Sequence, residues 1–535
     1  MEAGFGRADL TVYERGMGML GWGRPDNVAL GVAAPLAARA MAVRDDAGRT
    51  GVYACADLCF VSASLRVAVL EALERRRLGL VPADVLLTAT HTHSGPSGYS
   101  HAFFYDLSGP GYCARVLASL ADGLADAIAQ AVRRLAPARL ALAAAPIPEG
   151  VAFNRSPDAF ARNPEARRGA AVDRTVTVLR ADDRGGRPLG ALSLFALHAT
   201  CVHGDGTRLH PDHKGLAAEG FEAWARAEAG AGPEVVAVFG QGAAGDVSPN
   251  HRFDPARGLL VGRFDDDLDS AVHVADAQVR ASAQAWRRAG DDGLVLDGPV
   301  GGALRRIDLE ARPLSDGGRT SLGRLGLAMA EGTAEGPGPL GPLRRLDAAL
   351  HRARRSPDPK MPLLEIGPGR RRRLFGRLDP AALPLPHPAF AHARRARDTL
   401  EEPWIPTVLP VQLLRIGAFV LAALPNEPTT VAGRRLRRRL ERALRPHGVA
   451  RVHVTGYANA YAGYLTTPEE YRAQRYEGAY TLFGPRTLDA FAEAFDGLAP
   501  AVAATRLDGP PLDEGPPLPR CSEAQLRDRA FRPGG

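Results

Sequence analysis

The sequence predicts an α/β fold: a large mixed sheet flanked by helices, with the active site at the C-terminal ends of its strands. Two observations point there. Short apolar runs bounded by turn residues alternate along the 535 residues with stretches of helical periodicity, the pattern of strands separated by helices. Five of those runs end on, or lead into, a residue able to bind or react: His91, His198, Ser248, Glu427, and the pair Tyr461 and Tyr464. Sheets of this class place ligands in the crevice beyond the carboxyl ends of their strands.

The elements follow in order. Residues 64–78, "SLRVAVLEALERRRL", carry apolar side chains at 65, 69 and 73, a helical stripe that Gly79 ends. Pro82 and Asp84 lead into "VLLTAT", a buried strand over Val85 to Thr90 with His91 just past its end. "LGALSLFALH" reads as a strand ending on His198. "EVVAVFGQGAAGDVSPN" is a strand running into a glycine-rich turn that carries Ser248, and "IGAFVLAALPNEPTT" is a strand ending at Glu427. Thr429 or Thr430 then caps a helix whose Leu436, Leu440 and Leu444 line one face and whose arginines face solvent. "RVHVTGYANAYAGY" is a strand leading through Gly456 to the two tyrosines.

From about 331 to 400 the texture changes to Gly/Pro-rich "EGPGPLGP", basic "GPGRRRRLFGR" and proline-rich "LPLPHPAF". This reads as a surface excursion of the same domain, with Arg370 to Arg373 as a candidate contact for anionic lipid. The expected organisation is one catalytic domain over 1–505 and a C-terminal tail over 506–535, without internal repeats.

Hydrophobic residues at 45% and charged residues at 24% place the chain among soluble globular proteins. The net charge of +7 comes from arginines spread along the whole chain, which argues against a nucleic-acid partner. "MEAGFGRADLTVYERG" lacks a basic region followed by an apolar core, so no secretory signal is expected. No apolar run approaches the roughly 20 residues of a spanning helix. The five cysteines form no CxxC pattern. A reduced cytoplasm is the expected location, with at most peripheral membrane contact and no obligate protein partner.

Two imidazoles, a carboxylate and a phenol suit a borderline divalent cation, zinc first among them. In HxH on an extended strand, as in His91-Thr92-His93, both rings share one face. HxH also occurs in metallo-β-lactamase-like and amidohydrolase folds; the former needs a following Asp-His, where this chain has Ser94-Gly95. Ser248 lacks the GxSxG elbow of α/β-hydrolases, and a loop serine also serves as a plain turn residue.

"TATHTHSGPSG" (88–98), "FNRSP" (153–157), "FALH" (195–198), "GDVSPN" (245–250), "AGRRLR" (432–437) and "YAGYLTTPEEYRAQRYEGAYTLFGP" (461–485) occur in that order. In this the chain resembles the neutral/alkaline ceramidases, from "GFGRAD" near the start to about residue 500. The resemblance implies a zinc amidase that cleaves the N-acyl bond of ceramide to a sphingoid base and a fatty acid. It implies one zinc per chain, held by His91 and His198 through nitrogen and by Glu427 and Tyr464 through oxygen. Ser248 matches the serine regarded as essential in the family, and whether it attacks or assists water activated by zinc stays open. His93, Arg155 and Tyr461 match motif neighbours that orient water or stabilise the oxyanion.

The chain departs from the family in reading "PNEPTT" where "GEFTT" is usual, so Pro428 is expected to stiffen the backbone after Glu427. The secretory leader and immunoglobulin-like domain of typical members have no counterpart in the sequence. The expectation is therefore a cytoplasmic amidase on a lipid amide such as ceramide, with a secreted or periplasmic location as the alternative. A zinc amidase or esterase on a non-sphingoid N-acyl substrate is the enzymatic alternative. A catalytically inactive lipid-binding or scaffold protein is the non-enzymatic one, and the complete set His91, His198, Glu427, Tyr464 and Ser248 speaks against it.

Overall fold

The computed structural model describes residues 1–107, 109–338, 358–366, 404–503 and 512–531. Its centre is a nine-stranded mixed sheet. Eight strands form the path: β1 Glu2–Asp9, β2 Ala37–Arg44, β3 Thr50–Ala56, β4 Val85–Ala89, β5 Ala136–Pro146, β6 Thr175–Asp183, β7 Pro188–Leu194 and β8 Val236–Gly240. Their order is β8-β7-β6-β5-β1-β2-β3-β4, and the two-residue strand Leu294–Val295 joins β5 off this path. This is the large mixed sheet that the sequence predicts.

A second, five-stranded sheet is a feature that the sequence reading did not separate from the first. It runs β12-β11-β10-β9, from β9 Val300–Asp308, β10 Val408–Ile416, β11 Phe419–Ala423 and β12 Arg451–Thr455, with Asp513–Glu514 on the β9 edge. The two sheets pack face to face through Phe5, Met41, Val43, Leu192, Val238, Leu414, Phe419 and Leu421. Period-two alternation makes this possible. In β2, Met41 and Val43 point to the second sheet, while Ala38, Ala40 and Ala42 point to the helix side.

Helices cover both outer faces. On the large sheet lie α1 Ala63–Arg75, α2 Ala114–Arg133, α3 Asp212–Glu228 and α4 Asp267–Asp291; on the small sheet lie α5 Thr430–Leu444 and α6 Thr487–Ala503. Small residues set the spacing. A Cβ on Gly4 or Gly6 of β1 would sit 2.2 Å from the Ala131 carbonyl oxygen or 2.1 Å from that of Ala127, so α2 lies directly on the backbone. No helix among the described residues is long and apolar enough to cross a membrane.

Three parallel pairs position the site: β3 with β4, β7 with β8, and β11 with β12. Each is joined by a helix, respectively α1, α3 and α5, so the C-terminal ends of both strands of a pair reach the same edge. The segments carrying His91, Ser248 and the tyrosines follow the second strands, and those carrying His198 and Glu427 follow the first.

Several local expectations shift. The strands end earlier than read: β7 stops at Leu194 and β11 at Ala423, so His198 and Glu427 stand in the loops beyond. Thr429, not Thr430, caps α5, its hydroxyl accepting from the Ala432 amide at 3.4 Å. In the described part of the 331–400 excursion Ala334 and Pro337 are exposed, while Glu331, Glu335 and Lys360 turn inward and are buried. Glycines there allow a tight turn that inserts inward rather than outward. Arg370 to Arg373 lie outside the described residues. Within the C-terminal segment, Asp513–Glu514 pairs with β9 and the Phe531 amide donates to the Tyr112 carbonyl at 2.7 Å.

Beneath the His198 loop, α3 buries Lys214, whose Nζ donates to the Phe195 carbonyl at 2.8 Å and to Gln278 Oε1 at 3.3 Å. Burial lowers its pKa to about 7, with Cys55 opposing weakly. The native chain thus releases a proton near neutrality that the unfolded chain keeps to about pH 10.4. In that window the unfolded state binds more protons, so stability rises with pH, by about 1.4 kcal/mol per pH unit from one such group. The melting temperature of wild type should therefore climb more between pH 7.5 and 9.5 than that of Lys214→Met, on the order of that slope. Parallel curves for the two proteins would refute the assignment.

Candidate metal centre

The site begins with a strained turn. After β4, the Thr90 amide donates to the Ala56 carbonyl and the His91 amide to the Leu58 carbonyl, both at 2.9 Å. His91 then takes φ +69°, a left-handed conformation that costs a non-glycine residue about 1–2 kcal/mol. Thr92 bridges in parallel to Ala199, which ties the two histidine loops together. His91 and His93 do reach one pocket, as expected, but by this turn; the strand that was to align them has already ended at Ala89.

Hydrogen bonds fix how the rings face. His91 Nδ1–H donates to the Cys59 carbonyl at 2.6 Å, and His198 Nδ1–H donates to the Ala244 carbonyl at 2.7 Å. A carbonyl only accepts, so both rings commit an Nδ1–H to the backbone and turn their Nε2 edge inward. Glu427 Oε2 lies 3.4 Å from His91 Nε2 and 3.0 Å from His198 Nε2. The Tyr464 hydroxyl lies 3.2 Å from His198 Nε2. The Glu427 and Tyr464 segments are clipped by a short parallel bridge in which Pro428 pairs with Leu465. Pro428 needs no amide hydrogen there, and its carbonyl accepts from the Gly245 amide at 2.9 Å.

One ligand atom each from His91, His198 and Glu427 lies within 4.8 Å of the others, all buried. Cys59, His91 and His93 form a second group of that kind. The hydrogen bonds decide between them. His91 Nδ1 is already committed to the Cys59 carbonyl, with the Cys59 sulfur farther off at 3.7 Å, while Nε2 faces Glu427. Two imidazoles of fixed tautomer, a carboxylate and a phenol make a mixed N/O set that fits a divalent metal.

Charge balance says the same. Burial disfavours ionised Glu427, yet His91 and His198 outweigh it and hold its pKa well below the carboxylate range. Burial also disfavours charged His91, but Glu427 and Cys59 prevail and raise it to about 10. His198 goes down instead, by burial and then by the nearby Arg155. His93 is held well below its usual value by burial, His91 and His198. A buried carboxylate of this kind demands positive charge beside it, which a cation supplies.

The other expected residues fall around this centre. Tyr461 spends its hydroxyl on Glu427 Oε1, and Tyr457 donates to Glu427 Oε2 at 3.2 Å. His93 Nε2 lies 3.2 Å from His91 Nε2, and its ring meets Trp22 edge-on at 4.9 Å. Arg155 donates to the Tyr464 hydroxyl at 2.8 Å, to Glu335 at 2.8 Å and to Glu477 at 2.9 Å. Ser248 stands one step away: its hydroxyl donates to Glu335 Oε2 and accepts from the Asn250 amide at 3.0 Å.

The centre opens into a cavity of about 250 Å³ walled by Phe60, Phe104, Tyr105, Leu107, Met329 and Tyr480. His91, His93, Arg155, Glu427, Tyr461 and Tyr464 line it too; Ser248 does not. Sequence reasoning missed Tyr457, Tyr476, Glu335 and Trp22. Tyr457 sits in "GYANAYAGY", so the same motif carried it. Tyr476 lines the cavity, its ring 5.6 Å from the Arg155 guanidinium, and it too lies in a quoted motif. Glu335 and Trp22 had no local signal, because their partners are distant in sequence.

The family described as "Neutral/alkaline non-lysosomal ceramidase, N-terminal" matches residues 1–345 and 385–493. The chain belongs to this ceramidase family. Among relatives, the neutral ceramidase of Pseudomonas aeruginosa is 32% identical over 516 residues, covering 93% of this chain and 72% of its own. The neutral ceramidase of Mycobacterium tuberculosis is 32% identical over 543 residues, covering 96% and 78%. A solved structure titled as a ceramidase complexed with C2 superposes with TM-score 0.79 at 31% identity, covering 97% of this chain and 77% of that one. The crystal structure of the Pseudomonas aeruginosa neutral ceramidase gives 0.77 at 29%, covering 97% and 76%.

For this ceramidase-family chain, His91→Ala or His198→Ala should remove the metal as measured by elemental analysis. His93→Ala should keep most of it. Near-stoichiometric metal in the His91/His198 double variant would exclude the assigned ligands.

Proposed function

We propose that the chain is a zinc-dependent amidase that cleaves the N-acyl amide bond of ceramide or a related lipid amide, giving a sphingoid base and a fatty acid. The observation that carries this reading is the convergence of two oriented imidazoles and the Glu427 carboxylate in a cavity with aromatic and aliphatic walls. The names of the relatives point to the same substrate class.

His91, His198, Glu427 and Tyr464 would hold the zinc, one per chain. When bound there, zinc supplies the Lewis acidity that polarises a carbonyl and makes water a nucleophile near neutral pH. The chain's own residues do the rest. Arg155 directs Nη2 at the Tyr464 hydroxyl and, with Tyr476, lies where negative charge on the amide oxygen can be met by fixed donors. Tyr457 and Tyr461 orient Glu427 from behind. His93 faces the cavity beside His91 and, neutral because burial and the neighbouring histidines hold its pKa low, is placed to take the proton of the attacking water and hand it to the amine nitrogen as the C–N bond breaks. The apolar wall takes the hydrocarbon chain and keeps water from it.

Ser248 fits support better than attack. A serine nucleophile needs a base within hydrogen-bond reach. The carboxylate on Ser248 is Glu335, for which burial is outweighed by Arg155 and His198, holding its pKa to about 2. Such a group is a poor proton acceptor.

Purified protein loaded with zinc should release both fatty acid and long-chain base from ceramide, identified by mass. Chelation should abolish the release and added zinc restore it. Ser248→Ala should keep measurable turnover with unchanged zinc content, and acid-quenched wild type should carry no acyl adduct on Ser248. Turnover of N-acyl amino acids in place of ceramide would move the substrate class. An acyl-Ser248 peptide would overturn the role given to that serine.

A further inference from the structure

Met329, Ala330, Gly332, Thr333, Glu335 and Gly336 all contribute to the cavity wall. The segment is a tight loop, closed by a bridge between Gly332 and Pro337 and by the Gly338 amide donating to the Glu331 carbonyl at 2.9 Å. It touches both halves of the site. Gly336 lies against Trp22, where a Cβ would come within 2.5 Å of the ring, and Trp22 packs on His93. Glu335 reaches the other half.

The Glu335 carboxylate is buried and surrounded by donors from three separate segments. Oε1 accepts from Arg155 Nη1 at 2.8 Å; Oε2 accepts from the Ser248 hydroxyl, from Asn250 Nδ2 at 2.8 Å and from Thr200 Oγ1 at 3.2 Å. Thr200 follows β7, Ser248 and Asn250 follow β8, and Arg155 comes from the short segment between β5 and β6, so one side chain on the loop bonds all three at once. Arg155 has a fixed fork of donors: with Nη1 on Glu335 and Nε on Glu477 Oε1, Nη2 is aimed at the Tyr464 hydroxyl. Nη2 also donates to the Gly245 carbonyl at 2.9 Å, so replacing the Glu335 carboxylate with a neutral group leaves Nη1 buried without an anion and loosens, without releasing, the guanidinium that Glu477 and Gly245 still hold.

We propose that Glu335 is a positioning residue: it locks Arg155 against Tyr464 and so makes the seating of the 329–338 loop a condition for assembling the tyrosine side of the metal centre. This rests on the metal-centre reading above. It also gives Ser248 a use, as one of the donors that hold Glu335 in place.

The test is a double-mutant cycle on the zinc-loaded full chain with ceramide as substrate. Glu335→Gln alone should lower kcat by about 10–100-fold, the usual effect of removing an outer-sphere partner of a metal ligand. KM should stay within about threefold, since the loss falls on the transition state rather than on binding. In the Arg155→Ala background the same substitution should change kcat by less than about twofold, because Glu335 acts through Arg155. A structural role alone would give additive losses.

A second readout does not use turnover. Protein loaded with copper(II) should show tyrosinate-to-metal charge-transfer absorption, and Glu335→Gln should weaken it while binding the same amount of copper. If Glu335→Gln does not fold, Glu335→Asp, which keeps the charge but withdraws it by one methylene, takes its place in both measurements. Additive losses, wild-type kcat in the single variant, or an unaltered band would overturn the proposal. If wild type fails to cleave ceramide, the substrate reading fails and the copper band alone decides; a wild type without the band overturns the role of Glu335.

Discussion

Glu427 is a carboxylate taken out of water and set between two imidazoles whose Nδ1–H groups have been turned away from it. The Nδ1–H groups of His91 and His198 are spent on the backbone carbonyls of Cys59 and Ala244, so it is the Nε2 edge of each ring that converges on Glu427. Burying an ion without compensation costs several kcal/mol. The fold meets that cost with tyrosine donors behind the carboxylate and a place for a cation in front. Much of the surrounding structure follows from it, including the left-handed turn at His91, the bridge between the histidine loops and the clip that joins Glu427 to Tyr464.

The architecture explains how such a centre comes from distant segments. Each parallel pair, joined by its helix, sends the ends of two strands to one edge, and two sheets packed face to face bring three such edges together. The first pair delivers His91 and His93, the second His198 and Ser248, the third Glu427 and Tyr464. Arg155 enters from a short segment whose Phe153 and Asn154 pair with Ser248 and Val247. Glu335 then joins these pieces from a loop, which makes the loop part of the centre although it belongs to neither sheet.

Much of this was legible in the sequence because strand ends announce themselves. A short apolar run followed by His, Glu or a glycine-rich turn is a local pattern, and it singles out His91, His198, Ser248, Glu427 and the pair Tyr461 and Tyr464; the family resemblance is what picks Tyr464 from that pair. The motif order extended that to Arg155 and His93. Glu335 was not legible, since its stretch has the Gly/Pro texture of a surface turn and nothing local marks a carboxylate that will meet Arg155, 180 residues away in sequence. The second sheet was hidden for a related reason: apolar runs show that strands exist but not which face another sheet. The HxH geometry was anticipated from strand periodicity, whereas a left-handed residue, which no pattern of side-chain types encodes, brings the rings together.

The central claim is that one metal sits among His91, His198, Glu427 and Tyr464. Diffraction from crystals of the zinc-loaded protein, recorded on both sides of the zinc absorption edge, tests it most directly. The account predicts a single anomalous peak about 2.0–2.2 Å from His91 Nε2, His198 Nε2 and an oxygen of Glu427, the usual zinc–ligand range, with the Tyr464 oxygen completing the protein set. A peak held by Cys59 and His93 instead, or none in crystals of protein that still cleaves its substrate, would contradict it.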